Sequence, residues 1–267
     1  MARPTAEERA LARAALYRVL ALTFSYPTAE ACEALARALE VAAVAAMLAD
    51  EPVARGVAHL AACVQEALAS GDRTAIEAAY QRVFTLSYSE DCPPYETAFS
   101  ASHIFQQTQQ QADIAGFYRA FGVDAEDERA DHLAAELEFC YLLALKEARA
   151  RERKEPEHVR VCRDAQRSFL REHLARWAPL IGQRIAVTGA DAPPYGSAGR
   201  LLIAVTASEE RFLRAGAIRR YRDEPVLIAD EPGDMTCPIA ELTPADVADL
   251  PFFESREEAL DAAASRS

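Results

Sequence analysis

Apolar residues recur at helical spacing through long stretches free of proline, and those stretches are where helices fit. Leu11, Ala12, Ala15, Leu16, Val19 and Leu22 place a first helix over about Ala6 to Phe24, closed by Ser25-Tyr26-Pro27. Thr28 is a candidate N-cap for a second helix through about Leu48. Asp50 or Glu51 with Pro52 opens a third through about Ala69, and after the turn Ser70-Gly71-Asp72 a fourth covers about Arg73 to Leu86. The segment Ser87 to Glu96 reads as an ordered loop, because aromatics and the pair Pro93-Pro94 suit a fixed path. A fifth helix is expected over about Ala98 to Phe121 with Gly122 past its end, then an acidic loop, Val123 to Ala130. A sixth spans about Asp131 to Arg153, a seventh Pro156 to Trp177 with Pro179 beyond it, and an eighth Ser197 to Ala215.

From about Gly216 the pattern changes. Pro225, Pro232, Pro238, Pro244 and Pro251 leave no room for a long helix, and Val226-Leu227-Ile228-Ala229 reads as a short strand or extended arm. The expected fold is all-α: one bundle domain of about eight helices over residues 1–216, with an irregular extension over 217–267. Ten glycines in 267 residues fit this, since Gly-rich phosphate loops and β-sandwiches need more.

Twenty-nine basic against 42 acidic residues give a net charge of −13. Such a surface repels nucleic acid and anionic membranes and favours a cationic ligand or peptide. The six cysteines form no Cys-x-x-Cys clip and read as reduced thiols of a cytoplasmic protein. Glu7, Glu8, Arg13 and Arg18 rule out reading the N-terminal stretch as a signal peptide, and no apolar run is long enough to span a membrane. No dinucleotide fingerprint, phosphate loop or nucleophile elbow is present. Glu155-Pro156-Glu157-His158 has di-metal spacing once, at a helix start, and a bundle site needs it twice. Neither a cofactor nor a metal is implied, and the chain is not read as an enzyme.

One constellation stands out: Glu128-Arg129-Ala130-Asp131-His132, followed by Glu136 and Leu137. Asp131 suits an N-cap. His132, Glu136 and Cys140 stack along one side of the helix. Leu133, Leu137, Cys140, Tyr141 and Ala144 form one apolar stripe and Phe139 and Leu143 another, so this is an interior helix. Three readings stand together: Asp131 caps while His132 and Glu136 satisfy each other; His132, Glu136 and Cys140 ligate a metal; or the junction is part of an acidic, titratable binding surface.

Here the chain resembles the TorD/DmsD/NarJ-type maturation chaperones of redox enzymes. Glu128, Asp131, His132, Glu136 and Leu137 match the Glu-x-Pro-Asp-His-x-x-x-Glu-Leu motif, with Ala130 in place of its proline. Tyr80 and Phe84, followed by Pro93-Pro94-Tyr95-Glu96-Thr97-Ala98-Phe99, are similar to a second family segment. Phe169-Leu170, His173-Leu174 and Trp177 match a third. Gly233 to Pro238 is similar to the subgroup serving dimethylsulfide, ethylbenzene, selenate and chlorate enzymes.

The resemblance implies a non-catalytic cytoplasmic chaperone of anaerobic respiration, monomeric or homodimeric. Its partner would be the apo catalytic subunit of a molybdenum-cofactor oxidoreductase, or that subunit's twin-arginine leader, held until cofactor insertion, assembly and export. The leader-binding residues it implies are Tyr80, Phe84, Pro93, Pro94, Tyr95, Phe99, Glu128, Asp131, His132 and Glu136. Arginine forks suit carboxylates such as Asp131 and Glu136, and the aromatics supply an apolar groove. His132 suggests binding that varies between about pH 5 and 8. The alternatives are a small metal- or nucleotide-using enzyme on a helical bundle, or a plain interaction scaffold.

Overall fold

Helix starts follow local capping chemistry in the computed structural model, which describes residues 4–46, 50–69, 74–84, 91–100, 104–123 and 129–221. Thr5 and Glu8 close a reciprocal capping box on α1 (Ala6–Phe24). Thr28 Oγ1 accepts from Ala31 N–H at 3.1 Å and starts α2 (Ala29–Ala46). There follow α3 (Glu51–Ala69), α4 (Thr74–Phe84), the short α5 (Thr97–Ser100), α6 (Ile104–Ala120), α7 (Leu133–Glu152) and α8 (Pro156–Phe169). A π-helical turn, Leu170–Leu174, leads into α9 (Ala175–Thr188), and α10 (Tyr195–Leu213) ends the series. Everything described belongs to one compact unit, Met1–Val226. The part of the expected extension beyond Tyr221, including Gly233 to Pro238, lies outside the described residues, as does Glu128.

Burial follows the apolar pattern. Helix α8 is a surface helix that buries Cys162, Gln166 and Phe169 on one stripe. Helices α1 and α7 bury residues around most of their circumference and pack along each other. Both flanks expected of α7 turn inward, with Leu133, Leu137, Cys140 and Ala144 buried on one and Phe139 and Leu143 on the other, while Tyr141 is half-buried. Helices α9 and α10 pair closely because Gly182 and Gly199 face each other. A Cβ on Gly199 would meet Gly182 O at 2.6 Å, so this glycine serves helix contact.

Two expected boundaries differ. The fifth helix is two elements, α5 and α6, with 101–103 between them outside the described residues. Pro179 does not end the seventh helix but lies inside α9. The π turn shifts the hydrogen-bond register just before it, with Ala175 N–H donating to Leu170 O, so the residue without an N–H falls where the i→i−4 ladder restarts.

A buried ionic centre joins four helices. Arg13 on α1 forks onto Glu209 of α10, with Nε–Oε1 at 2.7 Å, and reaches Glu147 of α7 and Gln166 of α8. Tyr17 donates to Glu209 at 3.0 Å, and Arg151 and Arg163 complete the shell of Glu147. Burial alone would drive the proton off Arg13, but Glu209 beside it outweighs burial and holds the guanidinium above its ordinary pKa. Burial would likewise raise Glu147, yet hydrogen bonds from Gln166 and Arg151 and the charges of Arg13 and Arg163 keep it below the usual value.

Candidate functional site

The start of α7 is held by the loop that carries the double proline. Prolines offer no N–H, so Pro93 and Pro94 contribute carbonyls only. Pro94 O accepts from Leu133 N–H at 2.8 Å, which satisfies one of the orphan donors at a helix start. Glu96 N–H donates to Asp131 O at 2.9 Å, so Tyr95 and His132 pair as one antiparallel bridge. Their rings meet edge to face, 5.3 Å between centroids.

His132 is the N-cap of α7, correcting the expectation that Asp131 would be. Its Nδ1 accepts from Ala134 N–H at 3.2 Å, which places the ring proton on Nε2. Protonating Nδ1 would break this cap. Asp131 is fully buried and turns toward α5. Thr97 gives it an O–H at 2.6 Å and an N–H at 3.3 Å, and Arg129 forks onto both its oxygens.

Glu136 does not pair with His132 either. It is fully buried, and its Oε2 accepts from Trp177 Nε1–H at 3.1 Å. Burial first, and then the negative charge of Glu96 beside it, push the Glu136 carboxyl well above the ordinary glutamate value. The Trp177 N–H pulls the other way without prevailing, and Asp131 adds to the rise. Glu136 is thereby biased toward its protonated form, and its Oε1 has no hydrogen-bond partner among the described residues. His173 Nδ1 lies 3.1 Å from Glu96 Oε2, and Tyr221 O–H donates to Oε1 at 3.3 Å. His173 Nε2 faces Asp113 at 3.5 Å. The result is a buried cluster of Trp177, two carboxyls and an imidazole, drawn from α7, α9, the π turn, the residue before α5 and the segment after α10.

This cluster has a testable pH signature. Glu136 has a raised folded value, so above the unfolded value near 4.3 the folded state holds a proton that the unfolded chain lacks. Stability is complete below that point and falls as pH rises toward the folded value, by about 1.4 kcal/mol per pH unit. Glu136→Gln keeps the acceptor for Trp177 and removes the slope. Urea denaturation at pH 5 and pH 8, read by emission of Trp177, the chain's one tryptophan, should show the variant gaining on wild type at the higher pH. Equal differences at both values would refute a raised Glu136 carboxyl.

The implied site residues divide. Tyr95, Phe99, Asp131, His132 and Glu136 lie in one packed region, Phe99 at 5.5 Å from the Trp177 ring and under the guanidinium of Arg184. Pro93, Pro94 and Tyr95 are half-buried and face outward with the exposed Arg129. Glu136 lies beneath and has no surface for an arginine fork, which corrects that expectation. Tyr80 and Phe84 are buried in a separate aromatic cluster with Phe24, Tyr26 and Tyr195, packed as core. Among the described residues no set of three or more His, Cys, Asp or Glu side chains is placed to hold a metal, and Cys140 is buried beside Tyr17.

Four residues of this region escaped the sequence reading as site members: Glu96, Arg129, His173 and Trp177. Each lies within a quoted motif, so the signal was present, but only the fold shows that the three motifs converge.

An all-α bundle in which an Asp-His helix start is zipped to a double-proline loop defines the structural class. The chain belongs to the nitrate reductase delta subunit family, whose profile matches residues 24–182, a span holding the whole carboxylate cluster except Tyr221. It is 33% identical over 108 residues to the perchlorate reductase assembly chaperone protein of Dechloromonas aromatica, covering 38% of this chain and 47% of the relative. It is 38% identical over 90 residues to the selenate reductase assembly chaperone protein of Thauera selenatis, covering 32% and 45%. It is 39% identical over 88 residues to the chlorate reductase assembly chaperone protein of Ideonella dechloratans, covering 32% and 44%. The matches thus span about half the length of these curated relatives, whose names fit the subgroup that the sequence resembles. Among the described residues no helix is long and apolar enough to cross a membrane.

Proposed function

We propose that this protein is a non-catalytic assembly chaperone that binds the leader or the apo form of a molybdenum-cofactor oxidoreductase catalytic subunit. It holds that client in the cytoplasm until cofactor insertion, assembly and twin-arginine export. The observation that carries the reading is the outward lip of Pro93, Pro94 and Tyr95 with Arg129, seated over the buried Asp131 and His132: an apolar, aromatic edge next to a carboxylate that already binds a guanidinium. The family match and the assembly-chaperone names of the relatives support it. A leader with paired arginines and an apolar stretch fits both parts, and the net charge of −13 favours its approach. Glu128 enters this reading through its motif alone; Phe99 forms the floor beneath the surface, and Tyr80 and Phe84 support the fold.

The full-length protein should bind a twin-arginine peptide and discriminate against its twin-lysine counterpart, which lacks the planar fork. Tyr95→Ala should weaken binding about tenfold, as expected for an aromatic anchor. Calorimetric titration tests both, and pull-down from the native cell with mass spectrometry identifies the client. Equal affinity for both peptides and for the Tyr95 variant would remove this surface from the reading. Turnover of a substrate by the purified protein would end it.

A further inference from the structure

We propose that Asp131, Thr97 and Tyr95 form a guanidinium receptor whose resident occupant is the chain's own Arg129, and that a client arginine enters by displacing it. The client half of this inference rests on the proposed function; the receptor half stands on geometry alone.

The receptor is fully built. Asp131 has no exposed surface, and Thr97 orients it through an O–H and a backbone N–H onto Oδ2. Arg129 Nε meets Oδ1 at 3.0 Å and Nη2 meets Oδ2 at 2.9 Å, the parallel two-point fork that only a guanidinium makes. Nη2 also donates to Thr97 Oγ1 at 3.0 Å. The guanidinium carbon lies 4.2 Å from the centre of the Tyr95 ring, which stacks on it. The Arg129 side chain is 46% exposed while Asp131 is sealed, so the cation forms the solvent side of the pair. Charge, hydrogen bonds and aromatic face are thus those required for an arginine side chain, and the slot lies at the Pro93-Pro94-Tyr95 lip.

A tethered occupant has a consequence for specificity. Arg129 is two residues from Asp131, so its effective concentration at the slot is high, and a stray arginine from another protein does not compete. A client that also docks an apolar stretch on the lip gains enough elsewhere to replace it. The occupant thereby rejects partners that offer charge alone. Apparent affinity is reduced by the fraction of molecules in which the slot is empty, so removing the occupant tightens client binding.

The test uses the full chain with Arg129→Ala, and Arg129→Gln as a variant that still donates to Asp131. Ethylguanidinium chloride at low-millimolar concentration should raise the melting temperature of Arg129→Ala saturably, ethylammonium should not, and wild type should respond to neither. A twin-arginine peptide should bind both variants at least about fivefold more tightly than wild type. In the unmutated protein the Arg129 Nε–H resonance, held by Asp131, should lose its exchange protection when peptide is added. An absent guanidinium response, or a protected Arg129 in the peptide complex, overturns the proposal, as does weaker peptide binding by the variants. Guanidinium rescue without peptide binding to any form leaves the receptor and refutes leader binding at this surface instead.

Discussion

Arg13→Met is expected to destabilise the protein by about 3–5 kcal/mol, the cost of stranding a buried carboxylate. Methionine fills much of the arginine volume, so the loss is electrostatic. Glu147 keeps Arg151 and Arg163, but among the described residues Glu209 keeps only the Tyr17 hydroxyl. Adding Glu209→Gln should recover part of the loss by removing the charge. Urea denaturation of the three proteins checks this. A deficit under about 1 kcal/mol, the range of exposed ion pairs, would mean that the centre is solvated and contributes little.

Trp177→Ala is expected to cost about 3–5 kcal/mol by opening a cavity in the core. Trp177 is fully buried, stacks near Phe99 and is a hydrogen-bond donor to Glu136. Trp177→Phe separates its two roles. It keeps most of the packing and removes the N–H, so it should cost about 1–3 kcal/mol, the penalty for leaving a buried acceptor unmet. In the Glu136→Leu background that part should shrink, because no acceptor remains. Chemical denaturation followed by circular dichroism measures all of these. If the phenylalanine variant loses as much as the alanine variant, packing geometry outweighs volume at this position.

Much of the fold was legible because helices are written in local terms. Thr28, Glu51 and Gly122 mark ends through capping, proline placement and positive φ, which depend on a few neighbouring residues. The two-sided apolar pattern of α7 announced an interior helix, and its Glu136 announced a buried carboxylate in need of partners. Pro179 misled because local rules do not contain the π turn that accommodates it. The site was legible in part. Tyr95, Asp131 and His132 do adjoin, as their motifs imply, but their roles were exchanged: His132 caps, and Asp131 binds Arg129. Tyr80 and Phe84 carry the same aromatic signal as Tyr95, and nothing local distinguishes a ring that faces α1 and α10 from one at the surface.

From the chain alone, then, came the helices, their inner faces, the acidic surface and the family resemblance, since each rests on composition or on residues a few positions apart. The placing of Glu136 beside Glu96, the charge network of Arg13 and the seating of Arg129 on Asp131 and Tyr95 required the assembled bundle. They join groups from separate elements, and a carboxyl's protonation or a guanidinium's partner is set by whatever lies within a few ångströms in space, however far away it is in sequence.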